Sequence, residues 1–160
     1  MNVNFLLSRP LEDDTYSDAA VVLFFTSRSF LLIKRRPWNE DPWSGQMALP
    51  GGHRKPWETA LQAAVREAEE EVGITPNISG SLGIFSPHSR PMKVRVFLSH
   101  VKEELPFKVG PEVLWAAWAR EDDLVKGEDC FYFKGERVWG MTYRILLAGL
   151  GTSPASMGNL

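Results

Sequence analysis

A single cysteine, Cys130, serves the whole 160-residue chain. That excludes an internal disulfide, a thiolate zinc site and a Cys-x-x-Cys redox pair, and a reducing, cytoplasmic setting fits best. Long apolar runs are equally scarce. The longest, AAVVLFF over residues 19–25, falls far short of the roughly 20 residues that cross a bilayer. The first residues, MNVNFLLSRPLEDD, hold an apolar run of only three, Phe5, Leu6 and Leu7, before an arginine and three acids, unlike a secretory signal. An excess of charge is missing too, since 18 Lys and Arg face 20 Asp and Glu for a net charge of −2. Without a positive field, binding along a nucleic-acid polymer loses its main driving force. A small anionic ligand remains open, because local charge can oppose the net. No membrane partner is expected, and the sequence leaves a homodimer open.

What is present describes one folded unit. The composition, 44% apolar and 24% charged, is that of a globular chain. No fixed-period repeat and no Gly/Ser-rich or Pro-rich linker divides it. The expectation is a single domain over residues 1–160, with a folded core over about 17–150 and a small, polar tail at 151–160 that stays flexible. Residues 19–25 and 30–33 read as two paired buried strands. Residues 36–52, rich in Pro and Gly, read as an ordered loop with a short strand at 47–49. Further strands are predicted at 82–85, 94–101, 113–118 and 131–133, with a turn at 121–123 and a helix at 140–147. Strands and helices interleave, so the class is α/β with a mixed sheet between helices.

The most informative segment is TALQAAVREAEEEVGI. Thr59 and Gln62 fit a capping box at a helix start. Gly73 is placed to end the helix in the left-handed conformation, and Pro76 prevents its resumption. At about 100° per residue, Leu61, Val65, Ala68 and Val72 share one arc, read as the core face. Glu67, Glu70 and Glu71 then cluster on the opposite side, where like charges at i, i+3 and i+4 repel unless a cation sits among them. All-oxygen donors suit Mg²⁺ or Mn²⁺, and such an ion suits phosphoanhydride chemistry. Glu58, Arg66 and a preceding Gly-Gly pair set this run apart from a plain solvated helix face.

Gly52, Glu58, Arg66, Glu67, Glu70, Glu71 and Gly73 fall at the fixed positions of G-x5-E-x7-R-E-U-x-E-E-x-G-U, where U is bulky and apolar; Ala68 is small for its U position. The chain therefore resembles the Nudix hydrolase superfamily. The resemblance implies an α/β/α sandwich that hydrolyses nucleoside diphosphates linked to another moiety. It implies that Glu67, Glu70, Glu71 and the Gly51 carbonyl bind the divalent ions, with Glu58 and Arg66 holding that array in register. The segment GQMALPGG, residues 45–52, and the preceding LLIKR, residues 31–35, resemble the coenzyme A pyrophosphatase branch. Leu49 stands where Phe is usual and Ile33 where Thr is usual.

The preferred substrate on this reading is coenzyme A or an acyl derivative, with ADP-ribose or an NADH-type dinucleotide as the alternative. A nucleotide-binding module without catalysis is a third. The metal-activated water would give its proton to Glu67, Glu70 or Glu112, and Arg66 is counted with the catalytic set. Arg35, with its neighbours Lys34 and Arg36, either meets substrate phosphates or faces solvent. His53 and Arg90 are further substrate-binding candidates, Arg90 within a polar stretch that includes His88, Ser89 and Lys93. Trp38, Trp43 and Trp57 either anchor the loop around the Gly pair or stack on a base.

Overall fold

The computed structural model describes residues 1–37 and 45–151. In chain order its elements are α1 (Val3–Ser8), β1 (Ala19–Phe25), β2 (Ser29–Arg35), β3 (Met47–Ala48), β4 (Gly51–His53), α2 (Ala60–Val72), β5 (Gly80–Phe85) and β6 (Val94–His100). They continue with β7 (Val113–Arg120), a 3₁₀ turn (Glu121–Asp123), β8 (Val125–Gly127), β9 (Cys130–Phe133), β10 (Glu136–Val138) and α3 (Gly140–Leu150). Trp38, Trp43 and most of the tail expected to be flexible, residues 152–160, lie outside the described residues.

β1 is the centre of a mixed sheet. It runs parallel to β6 along its whole length, antiparallel to β4 at its start, and meets β2 at Phe25 and Phe30. β2 in turn pairs antiparallel with β7 and β3, and β5 closes the far edge on β6. Alternation along β1 sends Ala19, Val21, Leu23 and Phe25 to one core and Ala20, Val22 and Phe24 to the other. A strand buried on both faces has no polar positions to alternate, which is why residues 19–25 read as one apolar run. α2 covers one face. α1, α3 and the small antiparallel sheet of β8, β9 and β10 cover the other. This is the mixed sheet between helices that the sequence predicts.

Helix α2 starts and stops where the sequence places it. The Thr59 hydroxyl accepts from the Gln62 amide while the Gln62 side chain accepts from the Thr59 amide, and Gly73 closes the helix at φ 67°. Its buried face differs from the expected one. Leu61 and Val65 are only half buried, and the sheet receives Ala60, Ala63, Ala64, Ala68 and Val72 together with Glu71. Alanines are the reason. Their short side chains let the helix axis approach the sheet, and the acidic arc is drawn to the edge of that contact instead of standing opposite it.

Two distant segments finish the helix. At its start, the Ala60 amide donates to the Asp14 carbonyl (2.8 Å) and the Leu61 amide to the Asp13 carboxylate (2.9 Å). At its end, Lys108 and Gly110 donate to the Val72 and Glu71 carbonyls, each at 3.0 Å, satisfying groups that every helix leaves open. The ordered chain also begins earlier than expected. Asn2 caps α1, and Leu6 enters the core at 1% exposure. The β9–β10 turn, missed at the sequence level, uses Lys134 and Gly135, both with positive φ, the geometry of a two-residue hairpin.

A side chain at Gly110 would collide with the Glu70 carbonyl on the helix backbone. Gly110→Ala is therefore expected to cost about 2 kcal/mol in urea unfolding. A loss below about 0.5 kcal/mol, ordinary for a surface substitution, would contradict the close approach.

Candidate active site

Strand β4 and the buried edge of α2 meet across a gap that only glycine can border. A Cβ on Gly52 would lie 2.6 Å from the Glu67 carboxyl carbon, and one on Gly51 would lie 2.5 Å from Val21 Cα on β1. The absence of side chains there brings backbone polar groups against carboxylates. The Gly51 amide donates to Glu71 Oε1 (2.9 Å), and the Gly51 carbonyl accepts from Arg35 Nη2 (2.6 Å). The same Arg35 nitrogen lies 3.2 Å from both Glu71 oxygens. Arg35, Gly51 and Glu71 thus form a closed triangle in the interior, with side chains 7% and 2% exposed for Arg35 and Glu71.

A second arginine organises the rest. Arg66 grips Glu58 with two nitrogens, Nε at 2.7 Å and Nη2 at 2.9 Å, a fork geometry that favours carboxylates. Its Nη1 donates to Glu67 (2.9 Å) and more distantly to Glu70 (3.5 Å), and Nη2 donates to the His53 carbonyl (3.1 Å). Glu58 also accepts from the Lys55 amide (2.9 Å). Arg54 locks the same loop by donating to the Ser17 and Glu58 carbonyls, both at 2.8 Å.

Burial and charge set the titration of these groups. The hydrogen bonds from Arg66 hold Glu58 at about 2, and Glu58 in turn raises Arg66 further above its usual range. Desolvation pushes Glu71 up to about 7 despite the opposing pull of Arg35. Glu67 is also raised, chiefly by desolvation. Glu112 reaches this cluster from the loop before β7, its charge raising both Glu67 and Glu71. The donors are all oxygen, as an oxygen-seeking divalent ion requires. Even so, among the described residues no three acidic, His or Cys side chains stand together as a ready cage. Arg35 and Arg66 each hold part of the set.

The remaining candidates are dispersed. Arg35, expected to meet phosphates or solvent, is instead buried against Glu71. Its neighbour Lys34 pairs with Glu136 at 2.9 Å, and Arg36 is exposed. Glu70 is 57% exposed beside the cluster. His53 is exposed at the end of β4, its carbonyl within the Arg66 network. Arg90 and His88 are exposed in the β5–β6 turn. Trp57 is no loop anchor: it is 78% exposed, with Lys55 over its ring at 5.7 Å. Sequence reasoning missed Arg54, Asp13 and Asp14, whose contacts to the site loop and α2 span distances in the chain that no local motif encodes.

A mixed sheet between helices, with a glycine pair facing a carboxylate-bearing helix held by a forked arginine, defines a class of small α/β protein built to hold charge at one helix face. The NUDIX domain family profile matches residues 15–134, and the chain belongs to that family. An ADP-ribose pyrophosphatase of Methanocaldococcus jannaschii is 43% identical over 60 residues, 38% of this chain and 34% of that protein. An uncharacterized Nudix hydrolase, NudL, of Escherichia coli is 36% identical over 89 residues, 52% of this chain and 46% of that protein. The matched stretches thus span less than half the length of these curated relatives. The crystal structure of a MutT/nudix family protein from Enterococcus faecalis shares the fold, with a TM-score of 0.65 at 18% identity over 93% of this chain and 66% of that one.

The Glu58–Arg66 fork makes stability depend on pH. Glu58 titrates at about 2 when folded against an ordinary 4.5. Its contribution is therefore complete above about 4.5 and is lost as pH falls toward about 2. Glu58→Gln is expected to lower unfolding free energy by about 2 kcal/mol at pH 7 and to flatten the dependence of stability on pH across that acidic window, as read by denaturant titration. Parallel wild-type and variant curves would refute the fork as the source.

Proposed function

We propose that this protein hydrolyses a phosphoanhydride in a nucleoside diphosphate linked to another moiety. The observation that carries this reading is the row of α2 carboxylates, Glu67, Glu70 and Glu71, at the side-chain-free edge of Gly51 and Gly52, with the charge of Glu112 reaching Glu67 and Glu71. Glu67, Glu70, Glu71 and the Gly51 carbonyl would hold Mg²⁺ or Mn²⁺, the oxygen donors such ions favour. When bound, a divalent ion there would lower the pKa of a water molecule and offset charge on the phosphates.

The chain's own residues do the rest. In the hydrolysis a bond forms between the water oxygen and one phosphorus, the bridging P–O bond breaks, and the water proton passes to a carboxylate. Glu67, Glu70 and Glu112 are the candidates for that proton. Arg66 keeps Glu67 oriented through its 2.9 Å contact while Glu58 fixes Arg66 from behind.

For the substrate, similarity to the Methanocaldococcus jannaschii ADP-ribose pyrophosphatase supports ADP-ribose or a related dinucleotide. Coenzyme A is the second reading, supported by the resemblance of residues 45–52 to the coenzyme A pyrophosphatase branch. The test is product identification after incubation of ADP-ribose, NADH and coenzyme A with the protein and Mg²⁺ or Mn²⁺. Glu70→Gln is expected to abolish turnover with an unchanged circular dichroism spectrum, and Glu67→Gln to reduce it by about 10² or more. Retained nucleotide binding with no turnover of any of the three compounds would overturn the enzyme reading in favour of a binding module.

A further inference from the structure

The Gly51 carbonyl and the Glu71 carboxylate already have a cation. One nitrogen of Arg35 faces the carbonyl at 2.6 Å and both carboxylate oxygens at 3.2 Å, so a single positive group occupies the space between two of the proposed metal donors. Both side chains are almost fully buried. Neither can turn to water for compensation, and Glu71 would be left uncompensated in the interior if the guanidinium moved away unreplaced. A divalent ion could replace it, because it brings more charge to the same oxygens. A small, largely apolar pocket bordered by Arg35, Leu49, Gly51, Gly52 and Thr142 lies beside it.

We propose that Arg35 is a resident cation that competes with the divalent ion for Gly51 and Glu71, so that the ion occupies these donors only by displacing the guanidinium. This rests on the metal-dependent reading above. It assigns Arg35 a positioning role: without the ion it keeps the Glu71 carboxylate neutralised and aimed at β4, and it sets the threshold concentration at which the ion takes over. A purely structural ion pair would behave in the opposite way. Its loss would loosen Glu71 and weaken metal binding, whereas loss of a competitor strengthens it.

The experiment is Mn²⁺ titration of metal-free protein followed by electron paramagnetic resonance, with no substrate present. Arg35→Gln is expected to bind Mn²⁺ about tenfold more tightly than wild type, the scale of removing a charge-assisted hydrogen bond, and to unfold at lower temperature without metal. Arg35→Lys, a point charge lacking the planar fork, is expected to fall between the two. Equal or weaker Mn²⁺ affinity in Arg35→Gln would overturn the competition while leaving the metal reading standing. Absence of Mn²⁺ binding in all three proteins would overturn both. Should Arg35→Gln fail to fold, the wild type decides: the ¹⁵N resonance of the Arg35 side chain is expected to shift when diamagnetic Mg²⁺ saturates the α2 amide signals. No shift at saturation would overturn the proposal.

Discussion

Helix α2 lies close to strands β1 and β4, and the properties of the site follow from that distance. Four alanines on its buried face and two glycines on β4 remove the side chains that would otherwise hold the layers apart. Glu71 then belongs to the interior, and Glu67 faces a glycine backbone. Burial of a carboxylate is costly without hydrogen bonds or a partner charge. The upward displacement of Glu71 to about 7 expresses that cost. The arginines answer it.

The two arginines answer it differently. Arg66 sits at the half-buried rim and spreads its donors over Glu58, Glu67, Glu70 and the His53 carbonyl, so the loop carrying the glycine pair is tied to the helix carrying the acids. Arg35 comes from a β-strand on the other side of the gap and meets a single carboxylate with a backbone carbonyl. Register supplies this reach. A bulge between Lys34 and Arg35 alters the pairing of β2 with β7 at that point, placing Arg35 opposite Val113. Glu112, next to Val113, is thereby delivered to the same corner.

Local signals were legible, and long-range ones were not. The capping box at Thr59 and Gln62 and the left-handed Gly73 fix α2 to the residue, because both depend on neighbours within a few positions. β1 was legible because burial on both faces leaves an unbroken apolar run. The face of α2 was misjudged because periodicity favours large residues such as Leu61 and Val65, while close packing here selects alanine. Asp13 reaches Leu61 across 48 positions and Arg35 reaches Glu71 across 36. Neither pairing has a local pattern. The acids of the motif could be counted from the sequence, but which cation each would find depended on the sheet.

The same division explains why reaction class is easier to read than substrate. The groups that would act on a phosphoanhydride are concentrated on one helix and one glycine pair, so a short motif carries them. The pocket beside them is bordered by Ala19, Val21, Leu49 and Ile145, with Arg35 as its one charged residue. Apolar contact of the kind it offers separates related molecules by only about 1–3 kcal/mol per group. Finer discrimination then draws on polar groups contributed by loops, whose positions depend on the whole fold. Chemistry written on a helix survives as a motif, whereas specificity written across loops does not.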